Sequence, residues 1–186
     1  MRCQLAAVLV CALIAPAIFA QDRIEIARKA KEATALVEIA GGFKTGSAFC
    51  VHESGLFLSN EHVVRGAAVV KLILHPGLKN QQIVKARVLR VDKQMDLALL
   101  RVDDKIALTA LPLGSTDKLA ELQEVIAVGF PFGKALAEKG EYPVVSVNQG
   151  RITALRLKKG ELERIQMDAV VNPGNSGGPV LDSNGK

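Results

Sequence analysis

The sequence predicts an all-β protein made of two small barrels, with one short helix ahead of them. Three observations carry this expectation. From about residue 36 onward, short runs rich in Val, Ile and Leu alternate with Gly, Pro, Ser and Asp turn signals. These runs fall into two successive sets of about six, joined near Ala107–Thr116. The chain is 49% hydrophobic but only 4% aromatic and has no Trp, so its core must rest on Val, Ile, Leu and Ala, a composition leaning toward strands.

Residues 1–20 have the pattern of a secretory signal peptide. Arg2 supplies the positive start, Leu5–Ile14 the apolar stretch, and Ile18 and Ala20 a small-residue cleavage site. The stretch is shorter than the roughly 20 apolar residues of a spanning helix, and Pro16 interrupts it. The expected destination is the periplasm or the cell exterior. Residues 21–35 form a helix and linker, with Asp22 as cap of a helix over Asp22–Ala33.

Strands are expected at Leu36–Ala40, Thr45–His52, Leu56–Ser59, Ala68–His75, Ile83–Val91 and Leu97–Val102. Gly41-Gly42, Ser54-Gly55, Pro76-Gly77 and Asp103-Asp104 separate them, and this first unit covers about 36–106. The second, about 107–186 and expected to be an incomplete, truncated barrel, has runs at Leu111–Gly114, Glu124–Gly129, Tyr142–Val147, Arg151–Leu157, Arg164–Val171 and Gly178–Leu181. Asn184-Gly185 is a two-residue hairpin signal directly before Lys186, so a partner strand is expected beyond it and the chain is expected to be a fragment.

Charge and cysteine content exclude several function classes. The net charge is +5 and is dispersed, with no basic run longer than Lys158-Lys159 and no interleaved aromatics, so a nucleic-acid surface is not expected. Behind the leader Cys50 is the only cysteine, most simply a small core residue. No His/Cys cluster stands at metal-ligand spacing, so neither a metal nor a cofactor is expected.

The octet NPGNSGGP, Asn172–Pro179, concentrates the chemistry. A serine nucleophile needs an exposed Oγ on a tight turn with N–H groups aimed at a developing oxyanion, and Gly174, Gly177 and Gly178 permit such a turn at Ser176. Taken alone, the octet equally describes a surface turn. Of the three histidines, His52 and His75 precede turns, while His62 follows the apolar run LFLS. His62 by itself is as well explained as a buried structural residue as a base. A base needs a carboxylate to orient it. Asp96 stands directly before Leu97-Ala98-Leu99-Leu100 and is expected to be buried with a partner; Asp168 is the rival.

Four blocks, TGSAFCVHESGLFLSNEHVV (45–64), DLALLRV (96–102), AVGFPFG (127–133) and QMDAVVNPGNSGGPVLDSNG (166–185), resemble the signature blocks of HtrA/Deg-like proteases, a branch of the trypsin-like superfamily. Their order His, Asp, Ser is the chymotrypsin order. The resemblance covers roughly residues 36–186 and implies two six-stranded antiparallel β-barrels with the active site between them. It implies Ser176 as nucleophile, His62 as general acid/base, Asp96 as orienting carboxylate, and an oxyanion hole at Gly174 and Ser176 shaped by Asn175. Asn175 stands where digestive trypsin-like enzymes carry an Asp that pairs with a freshly cut N-terminus, so activation by such cleavage is not expected. Val170 with Val171 implies a small apolar primary pocket.

The activity so implied is exported endoproteolysis of unfolded or damaged proteins. The resemblance also implies trimers and a following PDZ domain. The competing expectations are a chaperone-like module that binds polypeptide on the same fold without turnover, and an inactive truncated fragment.

Overall fold

The computed structural model describes residues 15–39, 44–138 and 141–186. Most of the expected leader, residues 1–14, and the Gly41-Gly42 turn lie outside the described residues. The first element, helix α1, runs Ala15–Ala33 and so begins well before Asp22. Pro16 lies in its first turn, where a missing N–H leaves no intrahelical bond unmade. No helix among the described residues is long and apolar enough to cross a membrane.

Six strands follow: β1 (Thr34–Ile39), β2 (Lys44–His52), β3 (Leu56–Ser59), β4 (Val69–Leu74), β5 (Gln82–Asp92) and β6 (Leu97–Val102). They close into an antiparallel barrel in the order β1-β2-β3-β6-β5-β4. The alternation of a strand's side chains decides what fills it: Ala35 and Val37 of β1 point inward with Phe57, Leu72 and Leu100. Leu36, on the other face of β1, packs outside the barrel against Ile73 and Phe130. β1 is therefore buried on both faces and joins the barrel to the rest of the molecule. A four-residue helix, α2 (Glu61–Val64), follows β3 and drops Val63 and Val64 into the barrel core.

The second unit is open, in keeping with an incomplete second barrel, but it pairs four strands where six runs were expected. Its strands β7 (Glu124–Gly129), β8 (Ser146–Lys158), β9 (Glu161–Met167) and β10 (Val180–Leu181) form an open four-stranded sheet, ordered β10-β7-β8-β9. Leu111–Gly114 is not a strand: Pro112 has no N–H to give a ladder, and Leu111 makes one bond, to the Cys50 carbonyl (2.9 Å). Tyr142–Val145 is irregular for the same reason, at Pro143. β8 runs straight through Gly150, which serves close packing rather than a turn, since a Cβ there would sit 2.3 Å from Ala169 N. Ala30 and Ala33 of α1 pack on this sheet with Ile126, Val128 and Leu181. Cys50 is a buried core residue, its thiol pushed up by burial.

Candidate active site

His62 stands in α2, and Asp96 closes the turn entering β6. The two are tied twice. The His62 N–H donates to Asp96 Oδ1 at 2.9 Å, and His62 Nδ1 lies 2.7 Å from Oδ2. The Asp96 carbonyl in turn accepts from Glu61 N–H (3.2 Å) and from Asn60 Nδ2 (2.8 Å). One aspartate thus takes the first two N–H groups of α2 and the imidazole together. It does so with φ at 52°, a left-handed backbone that Asp adopts more readily than most residues.

An acceptor-only carboxylate against Nδ1 puts the ring proton there and leaves Nε2 with its lone pair. Partial burial pushes the Asp96 carboxyl up, but the two His62 bonds and the nearby charges of His62 and Arg65 outweigh it and hold Asp96 below the usual carboxylate range. Asp96 is not the buried carboxylate expected. Its side chain and that of His62 are each 43% exposed. The strand behind it alternates, with Ala98 and Leu100 inward and Leu97 outward, so its entry lies at the surface.

The 172–179 segment folds as a chain of tight turns. Asn175 N–H donates to the Asn172 carbonyl at 3.0 Å, with Gly174 at φ 102°, which defines a type II turn with Pro173 and Gly174 at its centre. Phe132 N–H donates to the Pro173 carbonyl (2.6 Å), so the Gly174 N–H, antiparallel to it in the same peptide, points away from Phe132. Among the described residues neither Gly174 N–H nor Ser176 N–H has an acceptor. The Ser176 carbonyl accepts from Ser47 N–H at 2.8 Å. Gly177, at φ 87°, comes so close to β2 and β3 that a Cβ would lie 2.1 Å from the Ser47 carbonyl and 2.4 Å from Ser59 Oγ.

The structure thus pairs His62 with Asp96 and seats Ser176 against the barrel wall from which α2 projects. Gly46 separates them: a Cβ there would touch Val63, next to His62, and the Ser176 carbonyl. No hydrogen bond joins Ser176 Oγ to the His62 ring among the described residues. Ser176 borders a cleft of about 540 Å³ with Asn60, Met167, Val171 and Asn172. Val171 lines it; Val170 is exposed and does not.

Asn175 is turned inward with both amide atoms buried and unpartnered among the described residues. His52 is exposed and bonded to Ser54 (2.9 Å), and His75 sits in a turn. Asp168 spends its carboxylate on Arg151 N–H (2.6 Å). Among the described residues no cluster of three His, Cys, Asp or Glu could hold a metal. Ser47 and Gly129 also belong to the site, and no residue near them in TGSAF or AVGFPFG signals their contacts with the 172–179 segment.

The model of the trypsin-like peptidase domain matches residues 46–186. The chain belongs to the trypsin-like peptidase family. Its relatives put it in the HtrA/Deg-like branch. Human serine protease HTRA4 is 33% identical over 141 residues, 76% of this chain and 28% of that protein. The magnetosome formation protease MamE of Paramagnetospirillum magneticum is 37% identical over 146 residues, 75% of this chain and 18% of that protein. The chain therefore spans less than a third of either. Among solved structures, Deg5 superposes with a TM-score of 0.73 at 26% identity, covering 89% of this chain and 81% of that one. The HtrA-type protease AlgW with tripeptide gives 0.70 at 30% identity, covering 86% and 50%.

Proposed function

We propose that this trypsin-like chain is the catalytic part of an exported serine endopeptidase that cleaves unfolded polypeptides with a His62–Asp96–Ser176 triad. The observation that carries the proposal is the double tie between Asp96 and His62, at 2.9 and 2.7 Å, which leaves Nε2 free to accept a proton. Ser176 Oγ attacks the scissile carbonyl carbon and gives its proton to Nε2. Asp96 stabilises the imidazolium that results. The N–H groups of Gly174 and Ser176, without acceptors among the described residues, donate to the oxyanion. The imidazolium then protonates the leaving amine as the C–N bond breaks. Water, deprotonated by the same Nε2, hydrolyses the acyl ester and restores Ser176.

A peptide substrate agrees with the tripeptide seen with the AlgW protease. Val171 on the wall of the cleft favours a small apolar side chain beside the scissile bond. Export agrees with the leader pattern of residues 1–20, and assembly into trimers is proposed on resemblance to the HtrA branch alone. The test is cleavage of an unstructured protein such as casein by the full-length protein. Casein is expected to be degraded, and Ser176→Ala and His62→Ala are each expected to abolish degradation without lowering the melting temperature by more than a few degrees. Binding of casein without cleavage products would favour the chaperone-like module instead.

A further inference from the structure

The hydroxyl of Ser47 has a place in the molecule that the triad does not account for. Ser47 lies in β2, on the first barrel, and is fully buried. Its Oγ donates to the Gly174 carbonyl at 2.8 Å and accepts from Phe130 N–H at 3.2 Å. Its main chain is engaged as well: the N–H donates to the Ser176 carbonyl at 2.8 Å, and its carbonyl accepts from Ser59 Oγ at 2.7 Å. One residue of the barrel therefore holds both carbonyls that flank Asn175 and the end of β7. Gly129 makes the room: a Cβ there would come within 3.0 Å of Ser47 Oγ and 2.8 Å of Asn175 Oδ1.

We propose that Ser47 is a positioning residue that keeps the oxyanion loop in its donating conformation, an inference that rests on the peptidase reading above. Gly174 is the most permissive residue of that loop, held at φ 102°. Two bonds fix it. Phe132 N–H holds the peptide before it by the Pro173 carbonyl, and Ser47 Oγ holds the peptide after it by the Gly174 carbonyl. With the hydroxyl gone, the Gly174 carbonyl and Phe130 N–H lose a buried partner, and the second peptide is released. The turn about Gly174 can then relax toward type I, whose central peptide is reversed, taking the Gly174 N–H out of the hole. Such a change acts on the transition state and not on ground-state peptide binding.

The experiment is Ser47→Ala in the full-length protein beside Thr34→Val, which removes a different buried hydroxyl, one that bonds the Ala30 carbonyl remote from the loop. Ser47→Ala is expected to lower kcat by about 10- to 100-fold with KM within about threefold, and to weaken binding of a peptide boronate, a tetrahedral oxyanion mimic, by a similar factor. Thr34→Val is expected to lower the melting temperature comparably and leave kcat unchanged. If both variants lose stability and neither loses kcat, the positioning role is overturned while the peptidase reading stands. If the unsubstituted protein cleaves nothing, both fall. Should Ser47→Ala not fold, Ser47→Cys keeps a weak donor at the same place; a reduced kcat at unchanged KM supports the role, and an unchanged kcat rejects it.

Discussion

At Asp96 a carboxylate, a strained backbone angle and a helix start converge, and the consequences of changing one atom can be read from that geometry. In Asp96→Asn an amide NH2 facing Nδ1 would favour the proton on the other nitrogen, where it blocks the base. Because Asn keeps the volume and the bond from His62 N–H, the expected outcome is a kcat lower by about a thousand- to ten-thousandfold with a nearly unchanged melting temperature. Steady-state kinetics beside calorimetry check both halves. Asn175 supplies the opposite case. Its buried amide has no partner among the described residues, so Asn175→Asp would bury a charge where none is compensated. A stability loss of at least about 2 kcal/mol is expected in denaturant titration at pH 7, shrinking as acid protonates the new carboxyl.

The pairing of His62 with Asp96 was suggested by the apolar runs LFLS before His62 and LALL after Asp96, with Asp168 a rival that only the family blocks set aside. The exposure of Asp96 was not, because LALL looks uniformly apolar in sequence while its alternate side chains point to opposite faces. Ser47 was hidden for a different reason: its partners, Gly174 and Phe130, are more than 80 residues away along the chain.

Among the elements, β1 joins the two units through both apolar and charged contacts. Leu36 packs on Phe130, and on the same face Glu38 is 4% exposed, with Lys134 Nζ at 2.5 Å, Tyr142 Oη at 3.1 Å and Lys71 Nζ at 3.5 Å. Burial pushes the Glu38 carboxyl up, but Lys134, Tyr142 and Lys71 outweigh it and hold it below the usual carboxylate range. A depressed folded-state value means that this stabilisation is present above the unfolded carboxylate pKa of about 4.3 and is lost as pH falls further. Glu38→Gln is therefore expected to cost about 1–3 kcal/mol at pH 7 and much less at pH 3, as thermal melts at the two values would report. Equal losses at both would point to packing alone.

Element boundaries followed turn chemistry where Gly and Pro punctuate strands, and failed where Pro112 and Pro143 sit inside apolar runs. The Asn184-Gly185 turn is instructive too. Only Gly185 has positive φ, and Asp182 accepts from Asn184 N–H and Lys186 N–H (both 2.9 Å), so the side chain of Asp182 organises a wider turn than the two-residue hairpin expected.

Taken whole, the molecule is unevenly buried. The barrel closes all six of its strands, while β8 and β9 form a ribbon with mostly exposed residues. Amides of β1, β2, β3 and β6 are expected to exchange with deuterium at least about tenfold more slowly than those of β8 and β9, measured on the same sample. Turn spacing could foretell strands, two units and an unclosed second one, but not which runs would pair, because Pro112 and Pro143 keep their runs out of the ladder.

The proposed cleavage requires Ser176, His62 and Asp96 to act together. The most direct measurement is reaction of the folded, full-length protein with a fluorophosphonate, with the modified residue located by peptide mass spectrometry. A single adduct on Ser176 is expected, its formation slowing at least about a hundredfold in His62→Ala. No adduct on the folded protein, or one that persists undiminished in Ser176→Ala, would contradict the proposed triad.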